Sequence, residues 1–564
     1  MHVGERLVER LVGYGVKHVF GCPGGQTLAY YNGIARHAGE IEHILMRDER
    51  SAVCAADAYA RATGRMGVCD ATVGPGASNL VSGLIEAYAC SIPVLAIVSD
   101  IPRNWEHHRT LAAANQAFDQ RKFLEGTVKY YGRVGTPESL VEMLAACVRI
   151  ATSGRPGPVV LEVPVDVFNA ESPEPKFPAT PEQAVFPRLR AGADPEAIEA
   201  AAARLAGAAK PMIVAGGGAI YAGAGPAILA LARRLGAPVA TTMNGKGLIA
   251  ETDPLAVGVA GRQGMPLANT LLSQSDCPVF IGCKTGQATT LGWTVLDLNA
   301  PIIQIDQDAG EIGRNFHNTV GIFADARVGT VALDAALESR ALSASWDSEL
   351  LATGQRDWWD GPVKYREEPK PGIVKPQDIV RLMRKHASDD DAVVMDASLA
   401  TGWISGRWQI RRAGVQVFSP RGMGGLGWGL PGAIGVGVAR RGTAGKVILL
   451  AGDGGWGYSL GEVETAARMG LPIVSVIINN STLGWIYHDS LHRYPGQIVS
   501  DRFTEVRYSD SAGPLGAHTA WADTLDGFEA AFAEAMADPS PRPWVIEVKS
   551  CPEETPLLPS SGGY

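Results

Sequence analysis

Apolar runs of four to eight residues, rich in branched side chains, recur along the chain, and stretches with helical spacing separate them. In the first third they fall at Val16–Gly21, Gly67–Val73, Pro93–Ser99 and Pro158–Val163. The middle third repeats the pattern at Met212–Ala215, Val239–Thr242, Val279–Gly282 and Ile302–Asp306. The last third has Ala392–Met395, Lys446–Ala451, Ile473–Ile478 and Trp544–Val548. A strand that is apolar on both faces and followed by a helix predicts a parallel sheet covered on both sides. The fold class is therefore α/β, with three doubly wound parallel-sheet domains. Two Pro-rich linkers, 169–188 and 355–377, set the divisions. The predicted domains are 1–170, 188–345 and 372–550, with a tail over 551–564. The first and third domains end alike, in GPVVLEVPVD and RPWVIEVKSC, which predicts related folds.

Composition narrows the function classes. Apolar residues make up 46% and charged residues 19% of the 564 positions, a balance that supports large buried cores and excludes disorder for most of the chain. The net charge is −9 and no basic tract is present, which argues against nucleic acid or an anionic membrane as partner. The 8 Cys form no CxxC pair and are expected to be free thiols in a reducing compartment. The amphipathic start MHVGERLVERLVGYGV is unlike a signal peptide, and no apolar run is long enough to span a membrane. A cytoplasmic location is expected.

The strongest chemical signal follows the run Val447–Ala451. Gly452, Asp453, Gly454 and Gly455 come next, and Asn479-Asn480 follow the run Ile473–Ile478. Glycines after a strand let backbone N–H groups approach a phosphate. Asp453 offers a hard carboxylate, Asn480 an amide oxygen and Thr482 a backbone carbonyl. An all-oxygen set of this kind suits Mg²⁺ shared with a diphosphate.

GDG, 24 further residues and NN resemble the thiamine diphosphate motif. Nearly the whole chain is similar to the acetolactate synthase, pyruvate oxidase and benzoylformate decarboxylase superfamily. That resemblance implies a first domain that binds the aminopyrimidine, a middle spacer and a third domain that binds the diphosphate. It implies a site between two subunits, so a homodimer is the minimum and a homotetramer is expected. Glu49, before the AADAYARATG helix, matches the family glutamate that acts on pyrimidine N1′, so that the 4′-nitrogen can take the C2 proton. Gly24 lies in an FGxPGG-like loop, and Thr72 and Asn79 lie in a TSGPGATN-like segment. By match, the Gly424 carbonyl bonds the 4′-amino group and Leu426 bends the cofactor. Gly484, Trp485 and Ile486 complete the implied cofactor set.

The departures concern the substrate. The family's AFQE segment stands here as Ala117-Phe118-Asp119-Gln120, and Phe118 and Gln120 are carried as candidates. The tryptophan near the second substrate matches Asp489, and the preceding family histidine matches Asp48. The flavin-contacting stretch GARFDDRVTG is replaced from Gly282 to Ala288, which puts FAD in doubt. Ile486-Tyr487 resembles the pair in oxalyl-CoA decarboxylase and 2-hydroxyacyl-CoA lyases, which would set the Tyr487 phenol beside C2. His107-His108 resembles a pair in pyruvate decarboxylases and could shuttle a proton. The expected activity is an acetolactate-synthase-like carboligase acting on a small 2-oxo acid. The alternatives are a lyase acting on a CoA ester and a simple 2-oxo acid decarboxylase. A non-catalytic homologue is disfavoured by Glu49, Asp453 and Asn480. The tail, with Leu557-Leu558, is a candidate lid.

Overall fold

The computed structural model describes residues 1–343, 346–494, 496 and 499–556. Three six-stranded sheets, each wholly parallel, carry helices on both faces. The first sheet contains β1 (His18–Gly21), β2 (Glu42–Leu45), β3 (Gly67–Ala71), β4 (Val94–Asp100), β5 (Tyr130–Arg133) and β6 (Val159–Pro164), in the order β2-β1-β3-β4-β6-β5. The second contains β7 (Pro211–Ala215), β8 (Val239–Thr241), β9 (Ala256–Val259), β10 (Cys277–Ile281), β11 (Ile302–Asp306) and β12 (Thr319–Phe323), in the order β12-β11-β10-β7-β8-β9. The third contains β13 (Ala392–Met395), β14 (Val417–Phe418), β15 (Val447–Gly452), β16 (Ile473–Asn479), β17 (His518–Ala522) and β18 (Trp544–Lys549), in the order β14-β13-β15-β16-β18-β17. Renumbered within each sheet, the first and third have one and the same strand order, as their similar endings suggested.

The twelve apolar runs are the twelve interior strands of these sheets. The proline- and charge-rich stretch 355–377 is only partly a connector, because a helix spans Ser348–Trp359. It buries Leu351, and its Trp358 indole donates to the Gly406 carbonyl at 2.8 Å.

Two of the contacts that join the domains bury charge. The helix Glu49–Thr63 of the first domain lies along the helix Gly429–Ala439 of the third. They approach so closely that a Cβ on Gly435 would stand 2.1 Å from the Ala55 carbonyl oxygen. Asp57 and Arg61 pair within this interface, and the Trp428 indole donates to Asp57 at 3.0 Å. Arg61 also donates to the Ser419 carbonyl at 2.7 Å, so the buried charges are hydrogen-bonded across the boundary. The second contact links the middle and third domains. Buried Lys246 pairs with Glu251 at 2.5 Å, and the other Glu251 oxygen accepts from the Ile410 amide at 2.8 Å. All 8 cysteines are free thiols. Among the described residues no helix is long and apolar enough to cross a membrane.

Candidate active site

The first half of the site lies at the carboxyl ends of β1 and β3, where open parallel sheets bind ligands. Asp48 caps the helix Glu49–Thr63 by accepting from the amides of Arg50 at 2.7 Å and Ser51 at 3.2 Å. This accounts for an aspartate at the family's histidine position: it satisfies the otherwise unpaired donors of the first turn. Glu49 is thereby held in that turn. Its Oε2 accepts from Asn79 Nδ2 at 2.9 Å, and a Cβ on Gly76 would lie 3.1 Å from Oε1. Gly24 is required next door, since a Cβ there would meet Thr72 Oγ1 at 2.2 Å. Thr72 in turn donates to Gln26 at 3.0 Å. Glu49, Asn79, Thr72 and Gly24 are thus brought together.

The second half lies at the carboxyl ends of β15 and β16. Asp453 is 3% exposed. Its Oδ1 accepts from the Gly454 amide at 2.8 Å, while Oδ2 is buried without a hydrogen-bond partner among the described residues. Burial pushes its carboxyl up to about 6, against the opposing backbone amides of Gly454, Ser481, Thr482 and Asn480. A buried anionic oxygen with no donor is costly unless a cation completes it. No group of three or more His, Cys, Asp or Glu with metal-holding geometry exists among the described residues. The donor set at Asp453 is one carboxylate with the Asn480 amide and the Thr482 carbonyl, hard oxygens that fit Mg²⁺. The turn beside it is shaped by glycine. A Cβ on Gly452 would meet nothing within 4 Å, which leaves open space at the strand end, whereas one on Gly455 would press within 3.0 Å of Asp396 Cγ. Gly454 and Gly484 are equally confined, by Leu483 and Leu399, each at less than 3 Å.

Two buried carboxylates that sequence reasoning missed hold the loop bearing Gly424 and Leu426. Asp396, at the end of β13, accepts from the amides of Ala397, Gly427 and Gly429. Burial pushes it up to about 6. Glu86, from the first domain, accepts from the amides of Gly422 at 2.7 Å, Met423 at 2.6 Å and Gly424 at 3.1 Å. Gly424 has φ +74, a conformation that favours glycine. The loop opens on a cavity of about 400 Å³ whose walls include Gly424, Leu426, Trp485 and Ile486, with Arg262 from the middle domain.

Other candidates are placed elsewhere. Tyr487 does not line this cavity; its ring packs on His488 and under the Arg502 guanidinium at 5.3 Å. Gln120 is 1% exposed and donates to the Ser99 carbonyl and to Glu162, both at 2.9 Å. Phe118 stacks edge-on against Phe123 at 5.7 Å, and its carbonyl accepts from Arg109. His107 and His108 are exposed, with ring centroids 3.7 Å apart, on a segment held by Arg109 pairing with Asp100 and Glu106. None of these four lines the cavity beside Gly424. The tail runs past Asn480, whose Nδ2 lies 3.4 Å from the Cys551 carbonyl, and buries Glu554 against Lys375 and Gln377. Leu557 and Leu558 lie outside the described residues.

Two half-sites of this chemistry, on two sheets of one topology with a third sheet between, define a thiamine diphosphate enzyme. The chain belongs to that family. Residues 1–123 match the thiamine pyrophosphate enzyme N-terminal TPP binding domain, 198–335 its central domain and 396–548 its C-terminal TPP binding domain. It is 31% identical to a probable acetolactate synthase large subunit of Methanocaldococcus jannaschii, over 100% of this chain and 94% of that protein. It is 33% identical to an acetolactate synthase of Arthrospira platensis, over 89% and 85% of the two. It is also 29% identical to the acetolactate synthase isozyme 2 large subunit of Escherichia coli, over 99% and 98%.

Proposed function

We propose that this chain is a Mg²⁺- and thiamine diphosphate-dependent carboligase of the acetolactate synthase kind, which joins two small 2-oxo acids. The observation that carries the metal is Asp453 Oδ2, buried and without a partner beside Asn480 and Thr482. The carboligase reading rests on likeness to acetolactate synthases along the whole chain.

When bound, thiamine diphosphate supplies a nucleophilic carbon for the donor carbonyl and an electron sink for the loss of CO₂. Asp453, Asn480 and the Thr482 carbonyl would hold Mg²⁺, and the open space at Gly452 would leave room for the diphosphate. Glu49, fixed by Asn79, holds and returns a proton at the pyrimidine ring nitrogen. The Gly424 carbonyl would accept from the amino group of that ring, and Leu426 would pack against the cofactor. Leu426 and Ile486 line the cavity and would turn apolar surface toward the reacting carbons and exclude water. With two pyruvates, one CO₂ leaves, one C–C bond forms between the two carbonyl carbons, and one proton ends on the new alkoxide.

The two halves belong to two copies of the chain. Glu49 does not line the cavity beside Gly424, and no hydrogen bond or ion pair joins it to Asp453 or Asn480 among the described residues. A homodimer is the minimum. A flavin is not part of the proposal: Lys284 in the replaced stretch reaches across the middle-domain cleft to the Ala89 carbonyl. Nor does the position of Tyr487 support a lyase acting on a CoA ester.

The test is product analysis by mass. Pyruvate with Mg²⁺ and thiamine diphosphate should give CO₂ and acetolactate. A 2-hydroxyacyl-CoA formed from formyl-CoA and an aldehyde, with no acetolactate from pyruvate, would overturn the reading.

A further inference from the structure

A second cavity, of about 250 Å³, shares no lining residue with the one beside Gly424. It lies in the first domain, between the helix Leu140–Thr152 and the linker 169–188. The helix turns Glu142, Ala145, Ala146 and Arg149 toward it, residues spaced by three and four on one face. The two short alanines leave the space open between the two charged ends. Gln183 and Arg188 come from the linker, which is fixed to the same helix. Thr152 Oγ1 donates to the Gln183 carbonyl at 3.2 Å, and the Arg188 amide donates to the Thr152 carbonyl at 3.3 Å.

The cations around this space lack acceptors. Arg149 and Arg188 make no side-chain hydrogen bond or ion pair among the described residues. Gln183 spends its side-chain oxygen on the Thr180 amide at 3.0 Å, which leaves its Nε2 as a donor. Behind the wall, Arg10 of the helix Val3–Gly13 is 5% exposed, and its Nε and Nη2 are buried without a hydrogen-bond partner among the described residues. Its guanidinium carbon lies 5.5 Å from the centre of the Phe177 ring and 5.8 Å from that of Tyr14, and both rings line the cavity. Burial raises the Tyr14 phenol, against the opposing charges of Arg10 and Arg188, so the phenol stays a neutral donor. A buried cation with no acceptor is costly, and ring faces offset only part of that cost. Glu142 is the one acid among the described lining residues.

We propose that this cavity binds a small oxyanion with two negative charges, a phosphate or a short dicarboxylate, between Arg149 of the helix and Arg188 and Gln183 of the linker. Three guanidinium groups against one carboxylate leave two positive charges to be met. The planar fork of arginine matches the paired oxygens of either group. Once bound, the anion ties the linker to the helix Leu140–Thr152 and so braces the join between the first and middle domains.

The experiment is calorimetric titration of inorganic phosphate, and separately of malonate, into the enzyme saturated with Mg²⁺ and thiamine diphosphate. Chloride holds the ionic strength constant. At least one anion should bind saturably with Kd below about 1 mM, and the tighter of the two identifies the group recognised. Arg149→Gln and Arg188→Gln should each weaken that binding by about 10-fold or more, the loss expected for a charged hydrogen-bond partner. Neither side chain has a partner to lose in the free protein, so Tm without anion should stay near the wild-type value. No saturable binding of either anion up to about 10 mM, or a Kd within about threefold of wild type in either variant, would overturn the inference.

Discussion

The first and third domains wind their strands in the same order, and each brings its polar groups to the carboxyl ends of interior strands. What they do there is opposite. In the first, each charge and hydroxyl already has a partner: Glu49 takes the Asn79 amide and Thr72 bonds Gln26. In the third, Asp453 keeps one buried oxygen unpaired, and the turn beside it is open at Gly452. One half is finished in the protein alone and is suited to holding a proton. The other needs a cation to be complete. A shared scaffold therefore says where a ligand binds, while the residues of the strand-to-helix turns say which chemistry follows.

The largest test of this contrast is Glu49→Gln. Hydrogen–deuterium exchange at C2 of the bound cofactor should fall by about 10²–10⁴-fold, the usual range for a removed acid–base group. Cation affinity should stay near wild type. Persistent fast exchange would remove Glu49 from its role. Asp453→Asn should do the reverse. Titration with Mg²⁺ should show affinity weaker by about 100-fold, comparable to the loss of a metal-site partner. If affinity is unchanged, the cation lies elsewhere.

Smaller effects should come from the supports. Glu86→Gln removes charge from a carboxylate that holds three loop amides, which should cost about 1–3 kcal/mol of thermal stability and lower kcat. If Tm and kcat both stay at wild-type values, Glu86 does not hold the loop in the working enzyme. The gentlest probe is pH. Asp453 is raised from 3.8 to about 6, so the folded state binds this proton more tightly than the unfolded one. Without a cation, stability from this group is present below pH 4 and is lost as pH rises through 6. Mg²⁺ binds only the ionised form, so the Tm gain on adding Mg²⁺ should grow from pH 5 to 7 and then level. Asp453→Asn should flatten that rise; a gain independent of pH in the wild type would contradict it.

The edges of the sheets mark where sequence patterning stopped being informative. Strands β2, β5, β12, β14 and β17 are each partly exposed, so they lack the continuous apolar run of a strand buried on both faces. Strand β9 is buried but short, and its Gly258 (φ +82) and a register shift interrupt the pattern. The same division holds at the site. Asp453 and Asn480 were legible because the turn and the strand that carry them lie close in the chain. Glu86 was not, because it acts on amides more than 300 residues away. Asp396 likewise takes its meaning from packing across elements. Gln120 shows the converse: the local segment suggested chemistry, but Ser99 and Glu162 draw its amide into the core.

The Lys246–Glu251 pair has a consequence for how such enzymes diverge. It welds the wall that carries Arg262 to the domain that carries Asp453, by way of the Ile410 amide. Recombination between relatives that cut between these two domains would keep Lys246 with Glu251 but would take the Ile410 amide and the Ser405 carbonyl that complete them from another parent, and a misplaced partner there would cost about 1–3 kcal/mol. A crossover in the linker 169–188 would leave that contact intact but would part Glu86 and Arg61 from the Gly422 amide and the Ser419 carbonyl that they bind in the third domain. Each boundary is thus bridged by a buried charge, and the three domains should be inherited as one block.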